Sequence, residues 1–167
     1  KPNKSGSSFG VQKVISSTNL NSAIKNALKY DNEVIIEEEI EGKEISCGVF
    51  SDINNQTIAL PLTEIISYNE FFDYNAKYKG ESKEITPAKI SQNLSKKIKN
   101  ISIEIYKKMN LRGICRIDFI IKNKIPYVIE INTIPGMSKE SIIPQQIKAA
   151  GIKMSEVITM SLSNANI

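Results

Sequence analysis

The chain has 167 residues, 41% of them hydrophobic and 24% charged, with a formal net charge of +4; that suits one ordinary globular domain. It contains no His and no Trp, which excludes Ser-His-Asp and Cys-His nucleophile systems and His-bearing zinc sites. Only Arg112 and Arg116 are Arg among its 22 cations, and Lys alternates with Glu and Asn throughout, unlike the clustered basic face of a nucleic-acid binder.

Residues 1–10, KPNKSGSSFG, read as a turn-rich polar loop leading into a short extended run, Val11–Ile15. Leu20, Ala23, Ile24, Ala27 and Leu28 then recur at helical spacing, entered from Thr18-Asn19. Strands are predicted at Val34–Ile40, Ile45–Phe50 and Thr57–Ile65, the last two around the turn Asp52–Asn55. Residues 67–87 show no clean periodicity. Thr86-Pro87 offers an N-cap and a first-turn proline for a long helix carrying Ile90, Leu94, Ile98, Ile101, Ile105 and Met109, ended by Gly113. Strands follow at Ile114–Ile121 and Tyr127–Ile131 around the turn Lys122–Lys124, then a Pro-Gly loop, then helices near Ile142–Ala150 and Met154–Asn164. Helices mixed with hairpins predict an α+β fold with an antiparallel sheet and flanking helices. Cys47 and Cys115 lack a C-x-x-C spacing and are expected to be reduced thiols of a cytoplasmic protein. No stretch approaches the roughly 20 apolar residues of a membrane span.

The run Ile114–Ile121 is the most informative piece. Strand alternation puts Cys115, Ile117, Phe119 and Ile121 on one face and Arg116 and Asp118 on the other. In the partner strand Tyr127, Ile129 and Ile131 share a face, leaving Glu130 and Asn132 opposite. A hairpin centred on Lys124 sets Asp118 across from Glu130 and Arg116 across from Asn132. Two ionised carboxylates about 5 Å apart at Cβ repel unless a cation neutralises them. A hard divalent ion such as Mg²⁺, held by Asp, Glu and an Asn oxygen, fits that need; a solvated sheet face with Arg116 paired to Asp118 fits the same residues.

Three loops add weaker signals. The Gly6-Ser7-Ser8 turn beside Lys1 and Lys4 suits an anion nest or a flexible linker. Phe71, Phe72, Asp73, Tyr74, Lys77 and Tyr78 suit a lid over a site or an ordinary surface loop. Gly136 and Ser141 suit carboxylate capture ahead of a helix or a structural turn with an N-cap. The acidic run from Glu37 to Glu44 suits a solvated edge or contacts to a purine amine and ribose hydroxyl.

The order of these pieces carries more than any one of them. K-P-x-x-x-G-S-S-x-G, V-I-I-E-x-x-I-x-G-x-E, F-F-D-Y-x-A-K-Y, R-I-D and E-I-N-T-x-P-G-M-S-x-x-S-I-x-P, in that order from Lys1 to the C-terminal helices, closely resemble the D-alanine–D-alanine ligases of the ATP-grasp superfamily. The resemblance implies an ATP-grasp fold, C-terminal part, over residues 1–167, with the family's N-terminal domain and the first part of the ATP-grasp lying upstream of Lys1. It implies ATP-dependent ligation of two D-alanine molecules through a D-alanyl phosphate, for peptidoglycan precursor synthesis. In that likeness Lys1, Ser7 and Ser8 cover the ATP phosphates, and Glu37, Glu39, Ile40 and Glu44 contact the base and ribose. Phe71, Ile120 and Ile129 line the adenine pocket, and Lys77 reaches the γ-phosphate. Ser7 and Tyr78 join a hydrogen-bonded link near the first D-alanine; Tyr78 favours a dipeptide product. Asp118, Glu130 and Asn132 match the ligands of two Mg²⁺ ions, with Mn²⁺ as a substitute. Arg116 and the Gly136 amide hold acyl-phosphate and tetrahedral oxygens, and Ser141 with Ile142 receives the second D-alanine's carboxylate. Further expectations are a cytoplasmic enzyme, a homodimer at full length, and neither nucleic-acid nor membrane partners. Glu39 and Ile142 depart from the residues common at those places. Alternatives are another ATP-grasp carboxylate–amine ligase, or an inactive nucleotide-binding fragment.

Overall fold

The computed structural model describes residues 1–4, 6, 8–67 and 82–163, which fall into two compact units. The first, within residues 1–40, holds a 3-10 turn at Ser17–Asn19 and helix α1 (Leu20–Ala27). Ser16 caps the turn, its side chain accepting from the Thr18 N–H. The strand predicted at Val34–Ile40 does not form. Val34 makes one isolated bridge to Pro2, flanked by Ile35 N–H donating to the Lys1 carbonyl (2.8 Å) and Asn3 N–H to the Glu33 carbonyl (3.0 Å). Glu37, Glu38 and Glu39 are solvent-exposed with no strand beside them among the described residues.

The second unit is built on a sheet of six strands: β1 (Lys43–Ser51), β2 (Thr57–Ala59), β3 (Thr63–Ser67), β4 (Ser82–Ile85), β5 (Cys115–Lys122) and β6 (Ile125–Asn132). The order is β4-β3-β1-β5-β6, with β2 also on β1. β1 runs antiparallel to β2, β3 and β5, and β5 antiparallel to β6. The single strand predicted over Thr57–Ile65 is two strands, because Pro61 has no N–H to give a ladder. β2 pairs with Val49–Ser51 and β3 with Glu44–Ser46, leaving a gap between them. β4 falls in the stretch that showed no periodicity.

One sheet face carries Ile45, Cys47, Val49, Ile117 and Phe119, all fully buried under helix α2 (Gln92–Lys108). That helix starts later than predicted. Ser91 is its N-cap, accepting from the Leu94 N–H (3.4 Å), while the Thr86 hydroxyl is engaged with Thr63 Oγ1 at 2.7 Å. It also ends before Gly113. Asn110, at φ +50°, adopts the left-handed conformation. Leu111 N–H donates to the Tyr106 carbonyl and Asn110 N–H to that of Lys107, a Schellman ending. On the other face, Phe50 and Leu60 pack against Ile143 and Ile147 of helix α3 (Ile142–Ala149) and Val157 of helix α4 (Met154–Ser163). Apolar cover on this second face comes from α3 and α4 at the Phe50 end; farther along it stand Ser46, Arg116 and Asp118.

Candidate functional site

Arg116, Asp118, Glu130 and Asn132 meet on that second face as the hairpin argument requires: Asp118 pairs with Glu130 and Arg116 with Asn132. The route to this register differs from the one predicted. The turn has two residues, Asn123 and Lys124, both at positive φ (+53° and +63°), as a type I′ hairpin demands. Near the turn the pairs are Lys122 with Ile125, Ile120 with Tyr127 and Phe119 with Val128. A β-bulge between Asp118 and Phe119 then shifts the register and leaves Ile129 without a cross-strand partner. Tyr127 therefore shares the face of Ile120 and Asp118, not the face of Ile131 as predicted. Bulges beside sites commonly re-aim side chains in this way.

The cluster is densely hydrogen-bonded. Asp118 is 6% exposed. Its Oδ1 accepts from Ser46 Oγ at 2.6 Å and Arg116 Nε at 2.9 Å; its Oδ2 accepts from an Arg116 terminal nitrogen and Asn132 Nδ2, each at 2.9 Å. Asn132 Nδ2 also reaches Glu130 Oε1 at 3.3 Å. Burial works against the Arg116 charge, but the hydrogen bonds and charge of Asp118, with Glu130 and Glu44 behind it, outweigh burial and hold the guanidinium above its ordinary pKa. One guanidinium thus faces two carboxylates, so the cluster keeps a negative excess.

Among the described residues no three His, Cys, Asp or Glu side chains gather into a metal-binding group. The donor set here is two carboxylates plus an amide, all oxygen donors once the Asn132 amide turns its Oδ1 inward, and hard divalent ions take such sets with water and phosphate completing the shell. The residues therefore fit Mg²⁺.

Other sequence-derived candidates fall around this cluster or in the first unit. Glu44 is the direct β1 partner of Ile120, which puts the proposed ribose and adenine contacts side by side on the Asp118 face. Ile129 sits at the bulge, 40% exposed. Gly136 and Ser141 are close enough that a Cβ on Gly136 would stand 2.9 Å from Ser141 Oγ. Ser141 is the N-cap of α3, yet its hydroxyl bonds to Ser138 Oγ at 2.7 Å, not to the helix; Ile142 follows, buried. In the first unit, Lys1 Nζ lies 2.5 Å from Glu37 Oε2, and Lys13 Nζ 2.5 Å from Glu39 Oε1. Ser8 adopts φ +60° in the Gly6–Gly10 turn, and Ile40 is half-buried. Ser7, Phe71, Lys77 and Tyr78 lie outside the described residues. Ser46 and Gln146 went unnoticed in the sequence; Gln146 carried a signal, a polar residue at a position the helix pattern assigns to the interior, whereas Ser46 falls on the side of β1 away from Ile45 and Cys47 and carried none.

An antiparallel sheet with flanking helices, bearing a carboxylate–arginine cluster on its open face, is the C-terminal part of an ATP-grasp fold. The family model described as the D-ala D-ala ligase C-terminus matches residues 1–163, and the chain belongs to that family. It is 49% identical over 162 residues to a D-alanine--D-alanine ligase of Flavobacterium johnsoniae, covering 97% of this chain and 50% of that protein. A solved D-alanine--D-alanine ligase from Bacillus anthracis complexed with ATP superposes with a TM-score of 0.80 at 32% identity, covering 99% of this chain and 50% of that one. The VanG D-Ala:D-Ser ligase from Enterococcus faecalis gives 0.83 at 34% identity, covering 97% and 47%. The chain spans about half the length of the curated relatives it matches. Among the described residues no helix is long and apolar enough to cross a membrane.

Proposed function

We propose that the protein carrying this chain joins two D-alanine molecules into D-alanyl-D-alanine, converting ATP to ADP and phosphate, as a step of peptidoglycan precursor synthesis. The chain is then the C-terminal part of one ATP-grasp domain. The observation that carries this reading is the Asp118–Glu130 pair, set opposite each other and bound to Arg116 and Asn132 on an open sheet face.

The chemistry has two stages. The carboxylate of the first D-alanine attacks the γ-phosphorus of ATP, ADP leaves, and a D-alanyl phosphate forms. The amine of the second D-alanine then attacks the acyl carbon, and phosphate leaves. Both stages gather negative charge on phosphoryl and carbonyl oxygens, which fixed positive groups stabilise. Arg116, oriented by a two-pronged contact to Asp118, supplies one such group, with the Gly136 N–H as a second donor. Asp118, Glu130 and Asn132 would hold two Mg²⁺ ions (Mn²⁺ serving equally), which neutralise phosphate charge when bound. Ser141 and the Ile142 N–H at the start of α3 would take the carboxylate of the second D-alanine. Lys1, Ser8, Glu37, Glu39, Ile40, Glu44, Ile120 and Ile129 would bind ATP together with Ser7, Phe71 and Lys77, and Tyr78 would link to Ser7 over the first D-alanine. We place the full-length enzyme in the cytoplasm, where ATP is available, as a homodimer.

The test joins this chain behind the N-terminal half of the Flavobacterium johnsoniae relative and measures phosphate release and dipeptide formation with D-alanine, ATP and Mg²⁺. D-Alanine-dependent turnover is expected; a protein inert towards D-alanine refutes the reading. A second reading, a carboxylate–amine ligase with another acceptor, draws support from the D-Ala:D-Ser ligase among the structural relatives, and D-serine in the same assay decides between them. The 167-residue chain alone is expected to bind ATP–Mg²⁺ weakly or not at all, as a nucleotide-binding fragment without turnover.

A further inference from the structure

Beneath the carboxylate cluster lies a buried polar chain that touches no proposed substrate atom. Ser46 is fully buried on β1, the direct partner of Asp118 on β5 and of Thr63 on β3. Its hydroxyl donates to Asp118 Oδ1 at 2.6 Å. Behind it, Gln146 of α3, also fully buried, donates from Nε2 to the Ser46 carbonyl (2.9 Å) and to Thr63 Oγ1 (3.0 Å). Gln146 Oε1 accepts from the Gly48 N–H at 2.9 Å.

The placement of these bonds has a cause. Within a strand, the N–H and C=O of one residue point to the same neighbour. The Gly48 carbonyl accepts from the Leu60 N–H at 2.8 Å, so the Gly48 N–H also points to the edge where Pro61 interrupts β2 and β3. No ladder carbonyl meets it there, and the Gln146 amide occupies the gap. It serves as a substitute peptide for Gly48 N–H and Ser46 C=O, which buried backbone requires. Glycine at 48 makes this possible: a Cβ would lie 2.6 Å from Gln146 Oε1 and 2.7 Å from Ile143 Cδ1.

Asp118 thus has two kinds of donor. Arg116 and Asn132 lie on the open side, partly exposed, and the Asn132 nitrogen must give way if the amide is to offer oxygen to a cation. Ser46 approaches from within the sheet, its main chain pinned by Gln146, and can keep its bond whichever way Asn132 turns. We propose that Ser46 is a positioning residue that fixes the Asp118 carboxylate for a divalent cation, with Gln146 holding Ser46 in place. The inference rests on the ligase reading only for what the cation is used for. Hydrogen-bond partners of ligating carboxylates are worth about 10- to 100-fold in metal affinity or activity.

The test uses the joined protein described above and reads Mn²⁺ binding by electron paramagnetic resonance in the presence of a non-hydrolysable ATP analogue. Thermal unfolding is followed in parallel in metal-free buffer. Ser46→Ala is expected to weaken Mn²⁺ binding about 10-fold or more, whereas Ser46→Thr, which keeps the hydroxyl, stays near the parent. Affinity for the analogue without metal is expected to be the same in all three. Parental Mn²⁺ affinity in Ser46→Ala overturns the inference, and so does an equal loss in Ser46→Ala and Ser46→Thr when both unfold at the parental temperature. If Ser46→Thr unfolds early, Mn²⁺ binding is read at a lower temperature at which both variants are folded, under the same criterion. A parent that binds Mn²⁺ but makes no dipeptide refutes the ligase reading and leaves the positioning role standing.

Discussion

Asp118 and Glu130 are direct partners across the β5–β6 hairpin although its two-residue turn, continued without interruption, would have set Asp118 against Ile129. The bulge at Ile129 moves Glu130 and Asn132 by one position, onto the face of Arg116 and Asp118. A slip of one residue turns every side chain of a strand to the other face, so with Ile129 in the strand it is the bulge that decides whether the cluster exists.

Deleting Ile129 should therefore remove the bulge and join Glu130 directly to Val128, leaving Glu130 across from Asp118 in an unbroken ladder. The expected outcome is Mn²⁺ binding retained by the deletion variant, because Glu130 and Asn132 keep their partners Asp118 and Arg116 and Ile131 keeps its place over the apolar side. Loss of metal binding in a deletion variant that unfolds at the parental temperature would show that the bulge does more than set the register.

Asp118→Asn and Glu130→Gln each keep shape and remove one negative charge from the proposed cation site. Dipeptide formation in the joined protein should fall at least about 100-fold in each, since electrostatic stabilisation of the transferring phosphoryl group is of that order. Turnover near that of the parent in either variant would sink the metal assignment.

Gln146→Leu leaves the Gly48 N–H and the Ser46 carbonyl buried without their partner. Each unsatisfied buried group costs about 1–3 kcal/mol, so urea denaturation should show a loss of about 2–6 kcal/mol. Gly48→Ala should also destabilise, because its Cβ meets Gln146 Oε1 at 2.6 Å, Ile143 Cδ1 at 2.7 Å and Leu60 Cδ1 at 2.8 Å.

Burial pushes the Cys47 thiol up to about 12, and burial also raises that of Cys115. Thiolate is the reactive form, so a thiol-specific disulfide reagent at pH 8 should label neither cysteine in the native protein and both after unfolding in urea. Rapid native labelling of Cys47 would contradict its placement under α2.

Glu84 on β4 is half-buried and held by Gln145. Burial raises its pKa, while the Gln145 bond and the Arg116 charge pull less strongly the other way. A carboxyl whose folded value exceeds its unfolded one supports the fold fully below the unfolded value, about 4.3, and loses that support as pH rises through the folded value. Glu84→Gln should accordingly raise the unfolding temperature at pH 7–8, with the advantage gone by pH 4. An advantage that persists unchanged at pH 4 would assign the effect to something other than ionisation.

Local chemistry in the sequence determined the class of fold, the strand faces of β5, and the choice of Asp118, Glu130, Asn132 and Arg116 as one group. Alternation of side chains along a strand is a property of neighbouring residues, and so is the periodicity that located α2, α3 and α4. The ordered motifs likewise sufficed to indicate the ligase family. Tertiary structure decided what depends on residues far apart. Pro61 splits one expected strand into β2 and β3, and the gap is closed by Gln146, 98 residues from the Gly48 whose N–H it receives. Ser46 reaches Asp118 across 72 residues of chain. The bulge at Ile129 reflects competition between a tight turn, which sets one register near Lys122, and the buried face of Ile131, which requires another. No periodicity within a single strand can report that compromise, because it exists only when both strands are paired.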